Sequence, residues 1–230
     1  MGLNRRLVSI SAAEALEDPL ADGSGVAYFT FDNTLVDTTG TYDLDAYDQN
    51  LFYTGGGINF NGSNARISNF YSNGALGNLM KSNNNSFSLS CYLKRNATDY
   101  GSIVEFLETN ISLRVMQEGN YLRFIVKQSN SSEVEIGGYP SYAISFSNLY
   151  KHYFFTANHS TGALKIYVDG NLENSTTGWD GTFRSETTYS NNFGFSSMFN
   201  NYANFDIKKL RMFNKELNSS EVSSVYTLDQ

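Results

Sequence analysis

From Tyr150 to Asn158 the chain is dense in aromatic and β-branched residues, which suit a pleated, half-buried surface better than a helix. This segment is predicted as a strand. The short polar run Asn158-His159-Ser160-Thr161-Gly162 follows, where side chains can bond their own backbone and Gly162 can take positive φ without steric cost. Leu164, Ile166 and Val168 then alternate with Lys165, Tyr167 and Asp169, the period of two of a strand with one wet face. Asp169-Gly170 reverses the chain again.

Similar runs recur at Val26 to Phe31, Gly57 to Phe60, Ala65 to Ser68, Phe87 to Leu93, Ile103 to Leu107, Leu113 to Met116 and Tyr121 to Lys127. Each is bounded by Gly, Asn, Asp or Ser. In Phe87-Ser88-Leu89-Ser90-Cys91-Tyr92-Leu93 the alternation is nearly perfect, and Glu118-Gly119-Asn120 predicts a hairpin. Only the extreme C-terminus reads as helical: Asn218 can cap, Glu221 sits three residues on, and Val222, Val225 and Tyr226 share a face. Many short strands with few helices predict an all-β fold, a two-sheet antiparallel jelly-roll sandwich with a short C-terminal helix. Residues 1–24 read as a separate N-terminal arm with a basic start at Arg5 and Arg6, a helix opened by Ser11 and Glu14, and a stop at Pro19. The domain is expected to span residues 25–230.

Composition narrows the function. Hydrophobic residues at 40% and aromatics at 15% support a core, while charged residues at 17% leave a surface built of uncharged polar groups. A formal net charge of −7 argues against a nucleic-acid partner, since phosphate binding needs dense Lys and Arg. The single cysteine, Cys91, alternates with apolar residues and reads as a small buried hydrophobe; it cannot form a disulfide within one chain. No signal peptide and no run of membrane-spanning length is read, so membrane insertion is not expected.

Four segments in order resemble the laminin G-like, concanavalin A-like jelly-roll family. Tyr28 to Asn33 with Asp37-Thr38-Thr39-Gly40 is similar to its opening strand and loop, and Ile58 to Ser63 to its F-D-G-S strand end. Tyr150, His152, Thr156 and Asn158 fall where the family has W-x-H-x-A-x-T-x-D, followed by an intact Tyr167-Val168-Asp169-Gly170. Ile207 to Asn214, with Leu217 and Glu221, is similar to the closing strand and helix start. This chain departs from the family at Lys208 and Lys209, where an acidic pair is frequent. Some relatives bind calcium through rim carboxylates, which makes Asp32 and Asp37, with Asp43, Asp45 and Asp48, the candidates here; no other cofactor is expected.

Catalytic patterns are weak. Laminarinase-like enzymes of this sandwich carry E-x-D-x-E on one strand; the nearest string, Glu133-Val134-Glu135, lacks the central Asp and reads as exposed strand positions. His152 lies in a strand and His159 in a turn, without Asp or Glu at metal-ligand spacing, so His152 reads as structural. There is no nucleophile elbow or phosphate-cradling loop, and Gly55-Gly56-Gly57 leads into a strand. Sugar recognition needs only an aromatic face with Asn and Asp for the hydroxyls. The candidates are Trp179 with Asp180, although Trp179 reads first as a cap of the core edge, and Phe199 with Asn201 and Tyr202. The arm and domain together resemble bacteriophage particle proteins. The expected function is therefore a non-enzymatic virion protein, in capsid decoration or a tail or fibre. The arm would contact other virion proteins or another copy, and the jelly roll a host-surface glycan. A cellular carbohydrate-binding or adhesion module is the alternative, and a glycoside hydrolase with dispersed carboxylates a third reading.

Overall fold

The computed structural model describes residues 19–39, 42, 44–46, 51–68, 86–106, 113–128, 132–137, 143–182, 191–196 and 199–230. With strands numbered in chain order, the first sheet runs β14 (Asn171–Thr176), β13 (Ala163–Val168), β12 (Lys151–Asn158), β6 (Phe87–Arg95), β18 (Asn204–Phe213), β4 (Ile58–Asn61) and β3 (Phe52–Tyr53). In the same sheet β1 (Gly25–Phe29) also pairs with β18. The second sheet runs β10 (Glu133–Gly137), β9 (Tyr121–Lys127), β8 (Leu113–Glu118), β7 (Tyr100–Phe106), β15 (Asn191–Phe193), β5 (Ile67–Ser68) and β2 (Asp45–Ala46). There β11 (Ile144–Ser145) joins β9, and β16 (Phe195–Ser196) pairs with β17 (Asn201–Tyr202). The pairing is antiparallel apart from one parallel bridge, Tyr202 to Ser102. This is the expected all-β sandwich.

The core lies between the sheets because alternate residues of each strand turn inward. Phe87, Leu89, Cys91 and Leu93 of β6 are all buried, each large apolar side chain contributing roughly 1.5–3 kcal/mol through burial. Rings bridge the two layers: Phe124 of β9 lies 5.6 Å from Phe155 of β12 and 6.2 Å from Phe87. Burial pushes the Cys91 thiol well above its usual pKa, in keeping with an inert apolar role. The β12–β13 hairpin turns at Gly162 (φ +65°), and β13–β14 turns at Asp169-Gly170, both in the left-handed region.

One expectation needs correction. The face of β13 carrying Tyr167 is not wet: Tyr167, Phe154 and Phe213 are buried on the outer face of the first sheet against Leu217, Val222 and Val225. The last two belong to helix α1 (Ser219–Asp229). Asn218 Oδ1 accepts from Ser220 N and Glu221 N, while Glu221 Oε2 accepts from Asn218 N, the reciprocal cap expected from the sequence. Residues 19–24 are tied to the same region. Leu20 packs against the helix cluster, Asp22 pairs with Lys215 at 2.5 Å, and the Ser24 carbonyl accepts from Asn214 N. The last part of the arm thus docks on the domain, while Arg5, Arg6, Ser11 and Glu14 lie outside the described residues.

β18 positions the site. One of its edges pairs with β6; the other is shared by β4, along Asn204–Ile207, and β1, along Leu210–Phe213. Its register with β6 shifts between Lys208 and Arg211, and Lys209 sits at φ +47°. In a regular strand adjacent side chains face opposite sides; a bulge inserts a residue and re-aims them. Here Ile207 and Leu210 are both buried in the core, and the two consecutive lysines between them both reach the outer face.

Candidate functional site

Helix α1 covers only part of that outer face. Beyond its C-terminal end lies an open cavity of about 500 Å³, walled by Tyr92, Tyr150 and Tyr226 with Lys208, Lys209 and Asp169 at its margin. Tyr92 comes from an outward position of β6, in register with Lys208 on one side and His152 on the other. Tyr226 comes from α1, and Tyr150 from the residue before β12. The Lys208 ammonium lies 4.3 Å from the centre of the Tyr150 ring and that of Lys94 5.3 Å, while Lys209 lies 5.9 Å from the Tyr92 ring.

The Tyr150 hydroxyl donates to Asp206 at 3.2 Å, and Asp206 also takes Lys94 at 2.5 Å, Asn59 at 2.6 Å and Asn96 at 2.6 Å. Burial disfavours the Asp206 charge, but hydrogen bonds from Asn59, Lys94 and Asn96 outweigh it and hold its pKa below the usual range. Burial, followed by the Asp229 charge, pushes the Tyr92 phenol up to about 12. Burial and Asp206 raise Tyr150. Both hydroxyls are protonated at neutral pH.

Beneath Tyr92 lies a buried polar cluster. The His152 ring is fully buried, stacked 4.2 Å from Tyr92 and 4.2 Å from Phe154. Ser90 Oγ is 2.6 Å from His152 Nε2, and Asp229 Oδ2 is 4.0 Å from the same nitrogen. This is not a nucleophilic triad, which needs the carboxylate on the ring nitrogen opposite the serine and a reachable hydroxyl; Ser90 is buried. Asp229 is instead gripped by Arg211, with contacts of 2.8 and 3.0 Å, and the guanidinium lies 3.6 Å from the centre of the Tyr28 ring. Burial, then the charges of Arg211 and Lys209, push the His152 pKa down to about 3. The imidazole is neutral and structural, as its strand position suggests.

The residues singled out from the sequence fall elsewhere. Trp179 is 3% exposed and belongs to the core, so its ring offers no face to a ligand; of the two readings, the core-edge role is the one it takes. Its backbone closes over the hairpin turn, where a Cβ on Gly162 would meet the Trp179 carbonyl at 2.2 Å. Asp180 is exposed and caps its own loop through Thr182 N. Phe199 is 40% exposed and sits edge-on to Tyr100 of β7 at 5.0 Å; Asn201 is exposed, and the Tyr202 ring lies 4.9 Å from Phe195. This second group lies on the second sheet.

Of the calcium candidates, Asp37 is already committed to its own loop. Asp37 is buried and accepts from Tyr28 N, Thr39 N, Thr39 Oγ1 and Tyr42 N at 2.5–3.1 Å, which commits both carboxylate oxygens to its own loop. Asp32 is exposed; Asp43 and Asp48 lie outside the described residues. Among the described residues no three of His, Cys, Asp or Glu gather as a metal-ligand group. Glu133 pairs with Arg114 at 2.9 Å and Glu135 with Arg123, while His159 Nδ1 meets the Gly181 carbonyl at 2.6 Å. The pocket had one legible signal, the unusual Lys208-Lys209 pair; its tyrosines are scattered along the chain.

A family model described as the concanavalin A-like lectin/glucanases superfamily, of laminin G type, matches residues 68–223, more than half of the chain. The chain belongs to this superfamily. Solved structures agree on the fold. The botulinum neurotoxin type C structure, whose title describes cell entry through two ganglioside molecules, aligns with TM-score 0.69 and 20% identity over 90% of this chain. The binding domain of botulinum neurotoxin DC aligns with TM-score 0.70 in complex with SialylT, at 18% identity, and in complex with rat synaptotagmin II, at 20% identity. This superfamily member spans about half the length of those chains, 51% of the first and 52% of the others. No curated protein matches it.

Proposed function

We propose that this jelly roll is a non-enzymatic glycan-binding module whose sugar site is the tyrosine-walled pocket on the first sheet. The observation that carries the reading is the convergence of Tyr92, Tyr150 and Tyr226 around an open cavity of about 500 Å³. That volume lies within the roughly 300–1,000 Å³ of ligand pockets. Aromatic faces cover the apolar side of a pyranose, and the phenols and lysines at the margin suit its hydroxyls. The described dependence of botulinum neurotoxin type C entry on two ganglioside molecules, and the complex of the neurotoxin DC binding domain with SialylT, support looking for a glycan ligand, although this chain aligns with only about half of each of those chains.

We place the module on a bacteriophage particle, as capsid decoration or part of a tail or fibre. Residues before Leu20 anchor it to other virion proteins or to a second copy, and the pocket faces the host surface. The resemblance of the arm and jelly roll to particle proteins supports this. A glycan array probed with the full chain and with Tyr150→Ala tests the binding reading. Signals from a defined set of glycans, lost in the variant, are expected. Silence across the array, or signals indifferent to Tyr150, would overturn it. Deleting residues 1–18, which leaves the docked Leu20 in place, should abolish particle incorporation; unchanged incorporation refutes the anchor.

A further inference from the structure

The charge of the pocket runs against that of the chain, whose formal net charge is −7. Each aspartate side chain around the cavity is already matched: Asp206 by Lys94 at 2.5 Å, Asp169 by Lys151 at 2.5 Å and Asp229 by Arg211 at 2.8 Å. Lys209 gives its ammonium to the Asp229 backbone carbonyl, which is neutral. Lys208 has no carboxylate within ion-pair distance among the described residues; its ammonium faces the Tyr150 ring. Two cationic side chains therefore line the cavity without a carboxylate of their own.

Lys208 is also held in place. A Cβ on Gly57 would lie 2.6 Å from Lys208 Cγ, and one on Gly55 3.8 Å from its Nζ, so the side-chain stem lies along the glycine loop that leads into β4. A free lysine carries about 2 kcal/mol of rotamer entropy, part of which binding normally costs. Here that freedom is reduced before any ligand arrives. The Tyr92 hydroxyl, in the pocket wall, is buried with no hydrogen-bond partner among the described residues.

We propose that this pocket selects acidic sugars: a pyranose bearing a carboxylate, its charge set against Lys208 and Lys209 and its ring held among the tyrosines. The proposal rests on the glycan-binding reading above and adds to it the class of ligand. An oligosaccharide without a negative charge leaves the ammonium of Lys208 unmatched, whereas a carboxylate forms charge-assisted hydrogen bonds.

Titration calorimetry on the full chain, using matched pairs of probes, tests this: 3′-sialyllactose against lactose, and a hyaluronan hexasaccharide against chitohexaose, with inorganic phosphate as a third arm. Each acidic member is expected to bind about tenfold or more tightly than its neutral partner, the size of one charge-assisted contact, and to weaken as salt is raised. Lys208→Gln should erase the preference and Lys208→Arg should retain it. Equal affinity within both pairs, or a preference that survives Lys208→Gln, overturns the acidic-sugar inference and leaves glycan binding standing. Binding of none of the four oligosaccharides overturns both. Phosphate that binds as tightly as the acidic sugars and displaces them also overturns it, because the site is then for an anion alone.

Discussion

Mild acid should destabilise this protein through one side chain, His152. Its imidazole is fully buried between Tyr92 and Phe154, with its pKa pushed from 6.5 down to about 3, first by burial and then by Arg211 and Lys209. Asp229, 4.0 Å away, would favour the charged ring, but it is committed to Arg211. A depressed histidine pKa means that the unfolded chain binds the proton first. Stability is thus complete above about pH 6.5 and falls as pH drops from there towards 3. The slope approaches 1.4 kcal/mol per pH unit, so the change from pH 7 to pH 5 costs about 2 kcal/mol, a large part of a typical stability of about 5–15 kcal/mol. The carboxylates held below their usual range, Asp22 and Asp206, add losses only below about pH 4, so this window isolates the histidine. Urea unfolding at pH 7, 6 and 5 should show the loss in the natural chain. His152→Phe keeps a ring between Tyr92 and Phe154 and gives up the Ser90 contact, at about 1 kcal/mol; its stability should be nearly flat over the same range. Parallel profiles for the two proteins, or an NMR titration of His152 with a midpoint near 6.5, would refute the reasoning.

Trp179→Ala should cost about 3–5 kcal/mol in urea unfolding by opening a cavity in the core, while the folded fraction keeps its glycan signals; lost binding with unchanged stability would restore Trp179 as a contact residue. Arg211→Met leaves the Asp229 carboxylate buried without its partner and should cost about 3–5 kcal/mol. Adding Asp229→Asn should recover part of that loss, measured as a double-mutant cycle.

Much of the fold was legible because its signals are local. The alternation in β6 marked Leu89, Cys91 and Leu93 as core, and Asn218 with Glu221 announced the cap of α1, since a strand's period and a helix's first turn involve only near neighbours in the chain. Gly162 and Asp169-Gly170 marked the two hairpin turns for the same reason. The candidate site was mostly illegible. Tyr92, Tyr150, Lys208 and Tyr226 meet only once β6, β12, β18 and α1 are assembled. Two sequence cues left alternatives open: Trp179 among turn residues reads as a cap of the core edge or an exposed ring, and Asp37 in an acidic loop as a solvated carboxylate or a metal ligand. The core takes the first, and four donors of its own loop take the second.

By itself the sequence determined the class of the domain, its hairpins and its terminal helix, because backbone propensity, side-chain period and turn chemistry act over a few residues. Tertiary structure alone decided which outward faces stay wet. Ser88, Ser90 and Tyr167 alternate as exposed positions should, yet α1 and the segment before it bury them. Only past the end of that helix does the same sheet face remain open. There a bulge in β18 turns two successive lysines outward, and the tyrosines gather around them. Burial depends on contacts between residues far apart in the chain, and a period of two says which side chains share a face, not what comes to cover it.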